Sequence, residues 1–460
     1  MAEQLAIVIM AAGKGTRMKS AQAKVLHRLA GATLLQHVLD TSAALGGERT
    51  IVVTGYAAAA VEASVRAAGV RCVRQEPQLG TGHAVQQALP WLPERGTTLV
   101  LNGDVPLVEA DTARALVAAC GGERLALLTV ALEDAHGYGR IVRSADGAVR
   151  AIVEEKDATP EQRAICEVYT GMMAAPTAAL RRWLGALDND NAQREYYLTD
   201  VVAMAVAEGT AVVAAHPRCE DEVLGVNSPA QLADLERRVQ RRRAEALMDA
   251  GVRLADPARF DLRGELVCGR DVEIDVNCVF EGRVVLGDDV RIGANCIVAD
   301  AGIGAGAHIH PFSHVEGAQV GAGARVGPYA RLRPGAELGP EVHVGNFVEI
   351  KNSTLARGAK ANHLAYLGDA TVGERVNYGA GSITANYDGA HKHRTVIGAD
   401  AHVGSNCVLI APVTIGAGAT IGGGSAVTKD APAGQLTLAR ARQVTVPGWQ
   451  RPVKSTAKSK

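Results

Sequence analysis

Aromatic side chains are scarce, at 3% of 460 residues. A chain this long can bury large cores, so the filling must be aliphatic. Charge of one sign is missing too, with 48 Lys plus Arg against 49 Asp plus Glu. That balance argues against a dedicated nucleic-acid or membrane surface, and neither partner is expected. No apolar run is long enough to span a bilayer, and no basic n-region precedes the first apolar segment. The expected compartment is the cytoplasm. The eight cysteines form no CxxC pair, which excludes the common zinc and redox motifs and predicts buried thiols in a reducing compartment.

Glycine, in contrast, is abundant at 51 residues, mostly after Gly264. There an aliphatic residue recurs every six positions: Val326, Leu332, Leu338, Val344, Ile350, and again Ile397, Val403, Leu409, Ile415, Ile421, Val427. Six is the period of neither a helix nor a simple strand. It marks a hexapeptide solenoid, three hexads per triangular coil. Glycine often follows the aliphatic residue, as at Gly287, Gly345, Gly398 and Gly416. Positive φ or close chain approach at the corners explains it. Residues 384–395 (TANYDGAHKHRT) lack the aliphatic and predict a polar loop thrust out of a corner.

The first half reads differently. Ala6–Met10 (AIVIM) is an apolar strand entering Ala11-Ala12-Gly13-Lys14-Gly15. Further apolar runs at 50–54 and 98–101 alternate with helical stretches, which implies a mostly parallel sheet with helices on both faces. Ligands in such sheets sit beyond the carboxyl ends of the strands, where the Gly13 loop and the Asn102-Gly103-Asp104 turn both fall. Backbone N–H groups at the glycines, with Lys14 and Arg17, suit phosphate oxygens. Ser228 as N-cap and Pro229 at the first position start a long helix over 230–250, which Gly251 ends. Its charge run fits either a solvated linker or a nucleic-acid contact.

Ala11-Ala12-Gly-x-Gly-Thr-Arg-Met, QEPQLGTGHA (75–84) and NGDVP (102–106) resemble the signatures of the sugar-1-phosphate nucleotidyltransferases. With the solenoid behind them, and with NHLAYLGD (362–369) and NYGAGSITANYDG (377–389), the chain resembles a family of bifunctional enzymes. These join an N-acetylglucosamine-1-phosphate uridyltransferase to a glucosamine-1-phosphate N-acetyltransferase. The resemblance implies an α/β nucleotidyltransferase domain, Rossmann-like with a mostly parallel sheet, joined by a long helix to a left-handed parallel β-helix of hexapeptide repeats. The expected divisions are 1–228, the helix 229–250, the β-helix 251–437 and a basic tail 438–460. A homotrimer through the β-helix is implied, as is a product that feeds bacterial cell-wall and outer-membrane precursors.

The resemblance also implies roles. Ala11, Ala12, Gly13, Gln75, Gly80, Thr81, Asn102 and Gly103 would hold the uridine nucleotide of UTP, and Lys24 would neutralise its phosphates. Asp104 and Asn227 would bind Mg²⁺, while Gly139, Glu154 and Tyr169 would line the sugar site. Arg333, Lys351, Tyr366, Asn377, Asn386 and Lys392 would hold glucosamine 1-phosphate. Acetyl-CoA would lie along Ala380, Asn386, Tyr387, Ser405, Gly423 and Arg440. The protonated amine must lose a proton before it attacks the thioester. Histidine, whose ordinary pKa lies near neutrality, suits that task, so His363 is the expected base, oriented by Glu349.

Three positions depart from the family pattern: Tyr169 replaces an Asn, Ala23 a Pro before Lys24, and Asn102 an aromatic. Among His308, His310 and His314, the HxH pair could hold zinc, although no third ligand presents itself. An alternative reading leaves the solenoid as only an oligomerising or regulatory module.

Overall fold

The computed structural model describes residues 4–65 and 69–452; the last eight residues of the basic tail lie outside them. The chain forms two compact units, 1–242 and 243–460.

In the first unit the strands Val212–Ala215, Leu125–Ala131, Glu167–Pro176, Thr97–Asn102, Leu5–Ala11, Arg49–Thr54 and Val70–Arg74 lie side by side in that order. All pairings along this path are parallel except those of Glu167–Pro176, which runs antiparallel to both neighbours. A hairpin, Gly139–Arg143 with Val149–Val153, is added beside it. Alternation along the first strand shows why it is continuous in apolar residues. Ala6 and Val8 belong to one buried cluster, Ile7 and Ile9 to another. Both faces are covered, as a parallel sheet requires.

The long helix spans Pro229–Asp249. Ser228 Oγ accepts from the Gln231 amide at 3.2 Å, and Gly251 has φ 95°. Leu235 and Val239 are buried against Met18, Leu29 and Val226. Its arginines are engaged within the fold: Arg238 with Asp221 and Asp234, Arg242 with Glu109. Part of its charge run is thus spent on ion pairs within the first unit.

The second unit is a parallel solenoid of one 11-stranded and one 17-stranded sheet, consistent with the expected left-handed β-helix. The 17-stranded sheet pairs alternate strands as well as neighbours, so it supplies two of three faces. Most coils advance by 17 or 18 residues, as the partners Ile274↔Ile292, Ile309↔Val326, Val326↔Val344 and Val403↔Ile421 show, while the coil that carries the polar loop advances by 25, as in Tyr378↔Val403. Interior aliphatics therefore stack on one another, Leu332 on Ile350 and Ile350 on Leu367, all fully buried. Each such side chain contributes roughly 1.5–3 kcal/mol.

Of the two reasons for corner glycines, close approach holds at most of the repeating sites. A Cβ on Gly345 would lie 2.0 Å from the Asn362 carbonyl oxygen, and one on Gly416 2.4 Å from the Ala433 nitrogen. Positive φ falls instead on other corner residues, among them Phe312, Tyr329, Phe347 and Leu364. The repeat breaks where expected but over a shorter span. Thr384 and Thr395 stay in buried strands, and the loop is residues 386–394.

Only four cysteines are buried; Cys72 and Cys268 are half-buried, and Cys166 and Cys219 exposed. No three His, Cys, Asp or Glu residues converge as a metal set among the described residues. His308 and His310 face each other at 3.9 Å between ring centroids, with Arg291 and Arg325 as the ladder neighbours of His308. Cations are poor company for a zinc ion. No helix among the described residues is long and apolar enough to cross a membrane.

Candidate functional sites

In the first unit, Met10 pairs with Asn102, so the Gly13 loop and the Asn102–Asp104 turn leave adjacent strand ends. The Gly103 amide donates to the Met10 carbonyl at 2.9 Å, and the Val226 amide to that of Asp104 at 3.0 Å. This brings Asn227 to Asp104. The Lys24 ammonium donates to the Asp104 carboxylate and, at 3.1 Å, to the Asn227 side-chain oxygen. Gly15, at φ 61°, must be glycine here, because a Cβ would lie 2.7 Å from Lys24 Cβ. One carboxylate and one amide oxygen are hard donors, the partial set that Mg²⁺ takes when phosphates and water complete its shell. The residues fit the ion.

A cavity of about 230 Å³ opens beside them, lined by Arg17, Thr81, Asn102, Asp104, Gly139, Glu154, Tyr169 and Asn227 among others. Seven expected residues thus share one wall. Burial raises the Glu154 pKa, while a hydrogen bond from Thr199 Oγ1 at 3.1 Å opposes the shift. Gly139 packs on Ile152, 2.8 Å from where its Cβ would be. The Tyr169 hydroxyl is buried with no hydrogen-bond partner among the described residues, and burial pushes its pKa well up.

Gln75 lies outside that wall. Its Nε2 donates to the Gly80 carbonyl at 2.8 Å and so shapes the turn into Thr81. Gly80 has φ 105°, and its missing Cβ leaves room for the Tyr196 carbonyl oxygen. Ala11 and Ala12 are buried at the end of the first strand, and Gly13 is exposed. Gln78, which sequence reasoning passed over, donates to the Ala12 carbonyl at 2.9 Å and ties this loop to the 75–84 segment. Two departures are absorbed locally. Ala23 takes φ −57°, the value a proline would impose. The Asn102 amide donates to the Thr170 carbonyl at 3.3 Å, against Gly171.

In the second unit, Arg331, Glu349, Tyr366 and Ile383 stack rung upon rung, with Lys351 beside Gly368. Arg333 Nη1 donates to Glu349 at 2.8 Å. Lys392 reaches back from the loop to Lys351. That neighbouring ammonium, then desolvation and Arg333, lower the Lys351 pKa, with Asp369 opposing. Tyr366 and Asn386 close over Gly368, where a Cβ would lie 2.3 Å from the tyrosine Oη and 2.8 Å from Asn386 Nδ2. Three cations, a phenol and a carboxamide therefore converge, and like charges held together without full compensation form an anion cradle. Asp369, missed from sequence although it stands in the NHLAYLGD string, holds Asn352 and Asn386.

His363 ends the strand Lys360–His363 of the other sheet, across the corner at Leu364 and Ala365. It is exposed, and its ring makes no hydrogen bond among the described residues. Glu349 does not orient it; that carboxylate is engaged by Arg333 and, at 3.8 Å, Arg331. From His363 a backbone track runs along the coils. The Gly381 amide donates to the His363 carbonyl at 3.2 Å, that of Asn406 to Ala380 at 2.8 Å, and that of Gly424 to Ser405 at 2.8 Å. Arg440 closes the track by donating to the Gly423 carbonyl at 2.6 Å. Tyr387 is exposed in the loop, with its hydroxyl on the Gly389 carbonyl at 2.6 Å. Asn377 is apart from the cradle, on the rung between Lys360 and His402.

Comparison with known proteins agrees with both halves. Residues 7–253 match the MobA-like NTP transferase domain, and residues 394–429 match the bacterial transferase hexapeptide (six repeats). Bifunctional protein GlmU of Methylibium petroleiphilum is 75% identical over 457 residues, covering 98% of this chain and 99% of that protein. The proteins of the same name from Polaromonas naphthalenivorans and Paracidovorax citrulli are each 67% identical, over 98% of both chains. With identity this high along nearly the whole of each sequence, the chain belongs to the family of bifunctional GlmU proteins.

Proposed function

We propose that this chain makes UDP-N-acetylglucosamine in two steps. The solenoid transfers acetyl from acetyl-CoA to the amine of glucosamine 1-phosphate. The α/β unit then transfers uridylyl from UTP to N-acetylglucosamine 1-phosphate and releases pyrophosphate. The observation that carries this reading is the convergence of Arg333, Lys351 and Lys392 beside Tyr366 and Asn386. Their surplus positive charge suits a sugar phosphate, and it stands on the same coils as His363.

In the acetyl step Arg333 and the two lysines bind phosphate. His363 takes a proton from the substrate amine, whose lone pair attacks the thioester carbonyl. The tetrahedral adduct then collapses, the carbon–sulfur bond breaking as the second nitrogen proton passes to the departing CoA sulfur, which leaves the amide and CoA thiol. The track from Ala380 through Ser405 and Gly423 to Arg440 supports the coenzyme, with Asn386 and Tyr387 at its edge. Asn377 is on another face, so a site that uses it with the cradle draws on an adjacent subunit. This supports a homotrimer packed through the β-helix. In the uridylyl step Mg²⁺, held by Asp104 and Asn227, would neutralise charge on the triphosphate. Lys24 and Arg17 bind phosphate oxygens, and Ala11, Ala12, Gly13, Gln75, Gly80, Thr81 and Gly103 shape the nucleotide loops. Gly139, Glu154 and Tyr169 line the sugar side. Catalysis there is placement plus charge neutralisation. The substrates are intracellular metabolites, which supports a cytoplasmic enzyme.

Mass spectrometry of products tests the assignment after the protein is mixed with glucosamine 1-phosphate, acetyl-CoA, UTP and Mg²⁺. UDP-N-acetylglucosamine, free CoA and pyrophosphate are expected. Pyrophosphate formed only when ready-made N-acetylglucosamine 1-phosphate is supplied would reduce the solenoid to an oligomerising module.

A further inference from the structure

Asp369 is buried at the corner from which the 386–394 loop leaves the coil. Its amide donates to the Lys351 carbonyl at 3.1 Å, and its carbonyl accepts from the Thr395 amide at 3.1 Å. One carboxylate oxygen accepts from the Asn352 side-chain amide and the other from that of Asn386. An ionised carboxylate offers acceptors only, so both carboxamides must turn their NH₂ groups toward it. The orientation of Asn386 thereby follows from chemistry rather than from a choice between two similar atoms. Its side-chain oxygen accepts no hydrogen bond among the described residues. The Asn352 and Asn386 amides, with Lys392 and Lys351 nearby, outweigh burial and hold the Asp369 carboxyl below its usual range. It is therefore ionised at neutral pH.

We propose that Asp369 is a positioning residue of the acetyl-transfer site, holding Asn386 so that its carboxamide oxygen accepts from a donor group of the bound amino sugar. This rests on the reading of the cradle as an amino-sugar phosphate site. Were Asp369 replaced by an amide, Asn386 could rotate and present NH₂ instead, which meets the substrate's donors with another donor.

Steady-state acetyl transfer, followed by release of the CoA thiol, tests the assignment on the full-length protein. Asp369→Asn should raise KM for glucosamine 1-phosphate about tenfold, the scale of one lost substrate hydrogen bond. It should change kcat and KM for acetyl-CoA less than about threefold, with pyrophosphate release by the first unit unchanged. Asn386→Ala should raise the sugar KM to a similar degree, with an added rise in KM for acetyl-CoA from the coenzyme edge it also lines, and adding Asp369→Asn to it should cost less than about a further threefold in the sugar KM, since residues acting as one unit are not additive. A wild-type KM in Asp369→Asn, a full second tenfold in the double variant, or an equal fall in all constants would each overturn the proposal. If Asp369→Asn yields no soluble protein, the swapped pair Asp369→Asn with Asn386→Asp restores a carboxylate–carboxamide contact. Recovered folding with a raised sugar KM then supports the assignment, and a wild-type KM refutes it. His363→Ala separates the two levels: unchanged CoA release there defeats the site reading itself, whereas its loss beside a silent Asp369→Asn defeats only this inference.

Discussion

The Lys24 ammonium bridges Asp104 and Asn227, bonding the carboxylate of one and, at 3.1 Å, the side-chain oxygen of the other. These two oxygens come from loops more than a hundred residues apart and meet because the Val226 amide donates to the Asp104 carbonyl. Lysine satisfies them as a point charge, and the same two oxygens are the hard donors available to a divalent ion. Asp104→Ala removes the single carboxylate of the set. Pyrophosphate release should fall at least about a hundredfold, in line with the loss of a preorganised electrostatic group, and CoA release should stay at wild-type rate. A coupled phosphate assay beside a thiol assay on one preparation checks both. Equal loss of the two activities would point to misfolding instead.

Tyr169 offers a sharper test of the sugar wall. Its side chain lines the cavity shared with Glu154 and Asp104, and its buried hydroxyl has no hydrogen-bond partner among the described residues. Tyr169→Phe therefore removes no internal hydrogen bond, and the thermal midpoint should hold or rise slightly. If bound sugar supplies the missing partner, KM for N-acetylglucosamine 1-phosphate rises about threefold to tenfold, the value of one neutral hydrogen bond. A stable variant with unchanged KM would remove Tyr169 from the sugar site.

The parts of the fold that were legible from sequence are those with a period. Leu332, Ile350 and the other hexad aliphatics stack as expected because a three-sided coil admits one solution to burying every sixth side chain. The polar loop was legible as a failure of that period. The site was less so. Glu349 looked like a partner for His363, yet its carboxylate lies on another sheet face and satisfies Arg333. Asp369 carries no local signal because its meaning lies in Asn352 and Asn386, each 17 residues away. That spacing is one coil, so a reader who lays the chain out in coils could find such partners, while a reader of local motifs cannot. Gln78 and Thr199 carry no local signal at all; their roles arise from loops that only the tertiary fold brings together.

Gly345 is where the solenoid should be least forgiving. A Cβ there would lie 2.0 Å from the Asn362 carbonyl oxygen and 2.7 Å from its carbonyl carbon. Both are backbone atoms of the next coil, the one that carries His363, so no side chain can move aside. Gly345→Ala should destabilise the solenoid by about 1–3 kcal/mol through overpacking and lower acetyl transfer by displacing the His363 strand. The two units are separately compact, so uridylyl transfer should persist. Differential scanning calorimetry should show a change in one transition only. A variant with wild-type melting and full CoA release would mean that the rungs can spread at no cost.

Acid should loosen the same unit through a stack of like charges. Arg291, His308, Arg325, His343 and Lys360 follow one another on consecutive rungs, whereas elsewhere opposite charges meet, as in Arg263 with Glu281 and Arg375 with Asp400. Burial lowers the pKa of His308, His310 and His343. For His308, nearby His310, Arg291 and Arg325 add to the shift, with Glu273 opposing; Arg325 acts on His310, and Arg325 and Lys360 on His343. The folded state thus resists protonation more than the unfolded chain, where histidine titrates near 6.5. Stability from this source is present above that value and is lost as pH falls toward the depressed folded values, because the unfolded chain then binds more protons. The solenoid's melting temperature should drop between pH 7 and pH 5. Arg325→Gln relieves all three histidines and should make that drop shallower while leaving melting at pH 8 nearly unchanged. Parallel pH profiles for the two proteins would show that the histidines do not sense Arg325.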